Sequence, residues 1–334
     1  MKYFRYIFFI CTLMIMVVSP LTSLTIKLGS VVPAGSDWDL ALKQLANDWK
    51  SITNGQVNIK LYSGGIAGSE DNMIQKMRIG QLDMAVLTAI GMNVIVPETF
   101  VLSLPFLLEN DEEVNFMLEH ITPEFNDSFS EKGFEVLMWS STGWVRFFSK
   151  ESATSPELLQ KQKIGVAGSE SEMMDAWKSL NFHVIPISIN DTLSGLQSGM
   201  IDAFYAPPMA AASYQWFSLT PHMNELPVSP LLGGIVISKR TWNRIPSRYH
   251  ADLKRAVVNA NSKFNQFSKE MNDEALDVMI NYGLQVDSVT ENEKTKWDNL
   301  FDEKYSAIVG PGKLIPTETF NMVSTKLNQF RDAQ

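Results

Sequence analysis

Cysteine is almost absent from this chain of 334 residues. The single one, Cys11, lies inside an apolar N-terminal run, and the Phe8-Phe9-Ile10 before it is a poor lipoprotein signal. The rest of the chain can therefore form no disulfide and use no catalytic thiol. Histidine is nearly as scarce. His120, His183, His222 and His250 stand far from one another, and none has zinc-ligand spacing to a partner. Basic residues number 28 against 37 acidic ones, for a net charge of -9. A phosphate-binding face needs clustered Lys and Arg, so nucleic acid is excluded as a partner. No nucleophile elbow, phosphate loop or dinucleotide fingerprint occurs. Ser63-Gly64-Gly65 and Leu232-Gly233-Gly234 lack the residues that complete a phosphate cradle and read as turns or close backbone approaches. No nucleophile–base set, metal site or cofactor motif is visible, and the chain is not expected to be an enzyme.

Long hydrophobic runs are also missing, except at the start. Lys2 and Arg5 precede an apolar stretch from Tyr6 to Val18, followed by Ser19-Pro20 and Thr22-Ser23. About 13 apolar residues after a basic start match an export leader and fall short of the ~20 that span a bilayer. The alternatives are a leader over 1–23, cut after Ser23, and a retained N-terminal anchor. Export without disulfides points to the bacterial periplasm.

What is present is a twice-repeated α/β pattern. Thr25 to Val31 alternates as a strand, and Ser36-Asp37-Trp38-Asp39 starts a helix with Trp38, Leu42, Leu45 and Trp49 on one face. Val57 to Tyr62 alternates again. A helix from Ser69 stops at Gly80, and Leu82 to Leu87 is a buried strand. The same order returns as strand 163–166, a helix opened by Ser169-Glu170-Ser171-Glu172, strand 184–186, helix 192–198 and strand 201–205. Gly80-Gln81-Leu82-Asp83-Met84-Ala85 and Gly199-Met200-Ile201-Asp202-Ala203 close the two units alike. Asp83 and Asp202 read as loop caps, not as a catalytic pair. Two extended segments, Gly143 to Phe148 and Gly233 to Ser238, suit strands that cross between the units. From Ser247 to Tyr282 apolar residues recur every three or four positions, a helix of about 50 Å and wider than one lobe. The expected fold is a two-lobed α/β binding protein of the Venus-flytrap kind, with crossing hinge strands and a long hinge helix. Residues 24–143 with 233–271 form the first lobe, and 144–232 with 272–334 the second. The helix of about 247–282 spans both, and a small ligand belongs in the cleft between them.

The chain resembles the DctP-type solute receptors of tripartite ATP-independent periplasmic (TRAP) transporters. The matching stretches are Gly68-Ser69-Glu70 through Ile79-Gly80-Gln81-Leu82-Asp83-Met84, Val96-Pro97-Glu98 and Leu104-Pro105-Phe106-Leu107. They continue with Gly143-Trp144-Val145-Arg146, Lys163-Ile164-Gly165-Val166 and Leu196-Gln197-Ser198-Gly199-Met200-Ile201-Asp202. The resemblance implies a periplasmic receptor that delivers a captured solute to membrane permease subunits. It also implies an arginine clamp for the solute carboxylate, at the position occupied here by Gly165, and an asparagine where Ala206 stands. The missing arginine suggests the branch that pairs with a periplasmic tetratricopeptide-repeat protein.

A carboxylate buried without a partner costs several kcal/mol, whereas Trp38, Trp144, Phe204, Tyr205 and Met209 could bury hydrocarbon at about 0.8 kcal/mol per CH₂. The expected ligand-binding set is these residues with Arg146, Gly165 and Ala206. It reads as a site for an apolar or amphipathic small molecule, including a lipid-like acid with an exposed head group. Two alternatives stand beside it: an organic-acid receptor with Arg146 as the clamp, and a sensor or assembly protein that transports nothing.

Overall fold

The computed structural model describes residues 23–166, 171–302 and 305–334. The expected leader, Ser23 excepted, lies outside the described residues. The first α/β unit comprises β1 (Leu24–Gly29), α1 (Asp37–Ile52), β2 (Val57–Tyr62), α2 (Glu70–Ile79), β3 (Met84–Thr88) and α3 (Ala89–Ile95). Ser36 and Ser69 cap α1 and α2, each accepting a backbone N–H three residues on. Gly80, at φ +79°, closes α2 in a left-handed turn. Leu42, Leu45 and Trp49 are buried, but Trp38 turns aside and Asp39 takes the inward place. Asp39 accepts Gly35 N at 2.8 Å, pairs with Lys43 at 2.7 Å and accepts the Ser63 hydroxyl.

After α4 (Asp111–His120) and α5 (Thr122–Glu131) comes β4 (Phe134–Ser149). The second unit contains β5 (Lys163–Val166), α6 (Ser171–Ser179), β6 (His183–Pro186), α7 (Thr192–Ser198) and β7 (Ala203–Ala206). It is followed by α8 (Pro208–Ser213), β8 (His222–Asn224) and β9 (Ser229–Ser238). The sheet order β2-β1-β3-β9-β4-β7-β5-β6 runs through both lobes. β4 makes this possible. Its first part pairs antiparallel with β9, and Arg146 to Ser149 pair antiparallel with β7. β9 crosses too, because Ser229 and Pro230 face Val145 and Trp144 while Gly233 to Ile237 pair with β3.

The repeat is chemical as well as topological. Asp83 N donates to Lys27 O at 3.1 Å and its carboxylate accepts Lys27 N at 2.9 Å. In the second lobe Asp202 N donates to Lys163 O at 2.7 Å and its carboxylate accepts Lys163 N at 3.3 Å. The equivalent aspartates thus clasp equivalent strands.

The chain then forms α9 (His250–Asn281), β10 (Gln285–Asp287), α10 (Glu291–Asp302) and α11 (Thr317–Asp332). At about 1.5 Å per residue, the 32 residues of α9 reach ~48 Å. Leu253 and Val257 pack with Leu45 and Trp49 of the first lobe, and Met279 packs with Leu196 and Phe204 of the second. Trp297 and Phe301 of α10 belong to the second-lobe core with Phe147 and Ile164. The tail corrects the expected boundary of the second lobe at 272–334. Leu314, Ile315, Val323 and Leu327 pack with Val114, Met117 and Phe125 of the first lobe. Arg331 fixes them there, with Nε 2.7 Å and Nη2 2.9 Å from the two oxygens of the buried Glu113.

At the crossing, the pairing register of β4 shifts between Ser141 and Trp144. Gly143 lies in this bulge at φ +112°, a conformation that side chains rarely adopt. A methyl group there would stand 2.8 Å from Nδ2 of Asn272, which donates to Thr142 O at 3.2 Å. Gly143→Ala is expected to lower stability by roughly 2 kcal/mol in urea unfolding. Gly133→Ala, at φ +86° with nothing within 4 Å, carries the backbone strain without the clash and should cost less. Leu327→Ala is expected to cost about 3 kcal/mol in the same measurement; a cost below about 0.5 kcal/mol would mean that the C-terminal helix is not part of the core.

Candidate functional site

Between the lobes lies a cavity of about 180 Å³. The first lobe contributes Val31, Trp38, Glu70, Leu87, Thr88 and Ile90; the second contributes Ile187, Phe204, Tyr205, Ala206, Met209 and Trp216. The crossing strands supply Met138, Ser140, Thr142, Val145 and Leu232. No Lys, Arg or His occurs among the described residues of this wall.

The aromatic side is built by β7 and the turn after it. Phe204 stacks on Phe148 at 5.0 Å and meets Trp216 edge-on at 5.1 Å. Tyr205 leans on Trp177 at 5.6 Å and on Phe147 at 6.1 Å. Pro207 and Pro208 end the strand and set α8, and Met209 N donates to Oδ1 of Asn272 at 3.1 Å. Tyr214 stacks on Trp216 at 4.7 Å, and its hydroxyl donates to Val31 O across the cleft at 2.8 Å. That bond ties the two lobes together across the cavity. The indole N–H of Trp216 has no hydrogen-bond partner among the described residues.

Six of the eight expected residues come together here: Trp38, Gly165, Phe204, Tyr205, Ala206 and Met209. Trp144 and Arg146 do not, and the bulge is the reason. Met138, Ser140 and Thr142 face the cavity at every second residue; the register shift then changes the phase so that Val145 faces it. Trp144 instead donates its indole N–H to Asp111 at 2.7 Å. Arg146 donates from Nε to Glu225 O at 3.1 Å, and the charges of Glu225 and Asp273 oppose the lowering of its pKa by burial. Its guanidinium already has acidic company outside the cleft.

Gly165 is in the wall, and the room for a side chain there is filled. A methyl group on it would stand 2.6 Å from Cδ1 of Ile201 and 3.1 Å from Cγ2 of Ile187. Gly195 is closed off in the same way, 2.5 Å from Cδ1 of Ile187. Two isoleucines and two glycines thus interlock behind the cavity.

Sequence reasoning missed Glu70 as a wall residue, having read it only as helix-start chemistry. It is 5% exposed. One oxygen accepts Thr88 N at 2.9 Å; the other accepts the Thr88 hydroxyl at 3.0 Å and Gly91 N at 2.7 Å. Burial pushes its pKa up to about 7, against the pull of these donors and with a smaller push from Asp71. Tyr214 is raised by its own burial and by the charge of Glu70, and Tyr205 by burial alone. Tyr214 and Trp216 were missed as well, because an aromatic pair in a loop carries no motif. Among the described residues no group of three or more His, Cys, Asp and Glu is placed to hold a metal ion.

The model of the family described as "bacterial extracellular solute-binding protein, family 7" (DctP) matches residues 28–310. The 2,3-diketo-L-gulonate-binding periplasmic protein YiaO of Escherichia coli is 24% identical over 84% of this chain and 86% of its own. The sugar acid binding protein DctPAm of Advenella mimigardefordensis, solved with galactonate, superposes with a TM-score of 0.85 at 16% identity, covering 92% and 99% of the two chains. A TRAP periplasmic solute binding protein of Shewanella oneidensis, solved with succinate, gives 0.83 at 16% identity, covering 91% and 99%. The chain belongs to the DctP family of bacterial extracellular solute-binding proteins.

Proposed function

We propose that this receptor captures a small organic acid with an apolar body in the periplasm and hands it to the permease subunits of a TRAP transporter. The observation that carries the reading is the wall itself, hydrocarbon and aromatic over most of its extent, with no cationic side chain among its described residues. Such a wall favours a solute that buries CH or CH₂ groups, at about 0.8 kcal/mol per CH₂. The acid half of the reading comes from the relatives, which include proteins solved with galactonate and with succinate. The volume supports a compact guest. A cavity of about 150 Å³ accommodates benzene, so about 180 Å³ suits one ring or a short branched chain and not the long lipid-like acid expected from the sequence.

A polyhydroxylated sugar acid fits poorly, because each hydroxyl left unpaired against this wall would cost about 1–3 kcal/mol. The uncharged apolar solute is the second reading, favoured by the same lack of cations.

Thermal unfolding with a panel of acids tests the proposal. Short-chain, branched and aryl monocarboxylates should raise the midpoint, and succinate and galacturonate should not. At 100 times its dissociation constant a bound acid stabilises by about 2.7 kcal/mol. Arg146→Ala should leave the affinity for those acids within about twofold, since the side chain lies off the wall. Preferred binding of succinate or galacturonate, lost in Arg146→Ala, would overturn the reading.

A further inference from the structure

A carboxyl group stands in a wall that is otherwise apolar, aromatic or hydroxyl-bearing. Glu70 is the one acidic side chain among the described residues lining the cavity, and it is almost wholly buried. Each carboxyl oxygen has two acceptor positions. The Thr88 hydroxyl and Gly91 N occupy both on Oε2, whereas Thr88 N takes only one on Oε1. One position on Oε1 is left for a proton or a ligand. The ionisable groups that act on it are Asp71 on its own helix and Tyr214 from the loop after α8, and Tyr205 of β7 lines the same wall. No cation is present among the described wall residues to balance two negative charges.

An acid entering this chamber therefore meets a second carboxyl. Two carboxylates in a small apolar space cannot both stay ionised, and such a pair holds one proton between its members. The resulting O–H···O⁻ bond is short and charge-assisted. We propose that Glu70 binds the solute's carboxylate through one shared proton, so that this receptor captures its acid together with a proton and needs no arginine. This rests on the organic-acid reading above and extends it: the neutral carboxylic acid of Glu70 does what a guanidinium would otherwise do. The Trp216 N–H, in the same wall and without a partner among the described residues, is a further donor for the remaining negative charge.

The sign of the pH dependence follows. Burial already pushes the Glu70 pKa up to about 7, and an anion beside it raises the value further. Below that pH the free receptor carries the proton and affinity is level. Above it each complex must take up a proton, and affinity falls by up to tenfold per pH unit. An amide solute has no such requirement.

The experiment is titration calorimetry of the full chain between pH 5.5 and 8.5, in pairs of buffers with different ionisation enthalpies. The probes are C4–C8 monocarboxylates, phenylacetate among them, each beside its primary amide. The expected result is a dissociation constant for the acids that rises up to tenfold per unit above about pH 7, with proton uptake approaching one and level binding of any amide. Glu70→Gln carries no titratable proton, so the acid binding it retains should lose its pH dependence. An acid affinity that is flat with pH in the wild type, or a slope unchanged in Glu70→Gln, overturns the shared proton and leaves the organic-acid reading standing. Glu70 would then serve only to cap α3. Failure of every acid at every pH overturns both. Proton uptake by the unmodified protein decides the matter even if the variant does not fold.

Discussion

One extra residue in the ladder of β4 decides what this cleft can hold. A strand shared by two lobes shows alternate side chains to the space between them, and the alternation would place Trp144 and Arg146 on the side of Thr142 and Ser140. The bulge at Gly143 reverses the phase, so Val145 faces the cavity while the tryptophan and the guanidinium are engaged elsewhere. Asn272 secures the arrangement from the long helix. Its amide donates to Thr142 O on the crossing strand, and its oxygen accepts Met209 N from the second lobe. One side chain of α9 thus couples the bend in the strand to the aromatic wall.

The same economy appears on the opposite wall. The absence of a side chain at Gly165 is not a hole, because Ile187 and Ile201 converge on it and Gly195 makes room for Ile187. Placing an arginine there would require repacking several buried groups at once, a change that close-packed interiors resist. The apolar character of the cleft is therefore built into the second-lobe core as well as into its lining. Against that background the three donors that hold Glu70 matter more, since polar contacts in apolar surroundings are strengthened.

Much of the architecture was legible in the sequence because it is local. Capping serines, the glycine stops at Gly80 and Gly199 and the three-or-four spacing of α9 each rest on chemistry within a few residues. The related pair Asp83 and Asp202 was visible as a repeated motif, and the structure supplies its meaning as a strand clasp. What could not be read was long-range or depended on phase. Alternation along Gly143 to Phe148 gives no warning that a glycine at positive φ will flip the pattern. Glu70 looked like any acidic residue in the first turn of a helix; only the fold brings Thr88 and Gly91 against it. The tail from Leu314 onward carries an ordinary amphipathic pattern and nothing that says which lobe it will join.

That tail has a consequence for how the molecule is made. Chains emerge from the ribosome N-terminus first, and domains fold as units. The second lobe has its core once Trp297 and Phe301 are present. The first lobe, begun 277 residues before Phe301 at Leu24, still waits for Leu314, Ile315, Val323 and Leu327, and for Arg331 to meet Glu113. The half that is synthesised first is thus completed last, and until the final helix docks it exposes an open apolar seam to its surroundings.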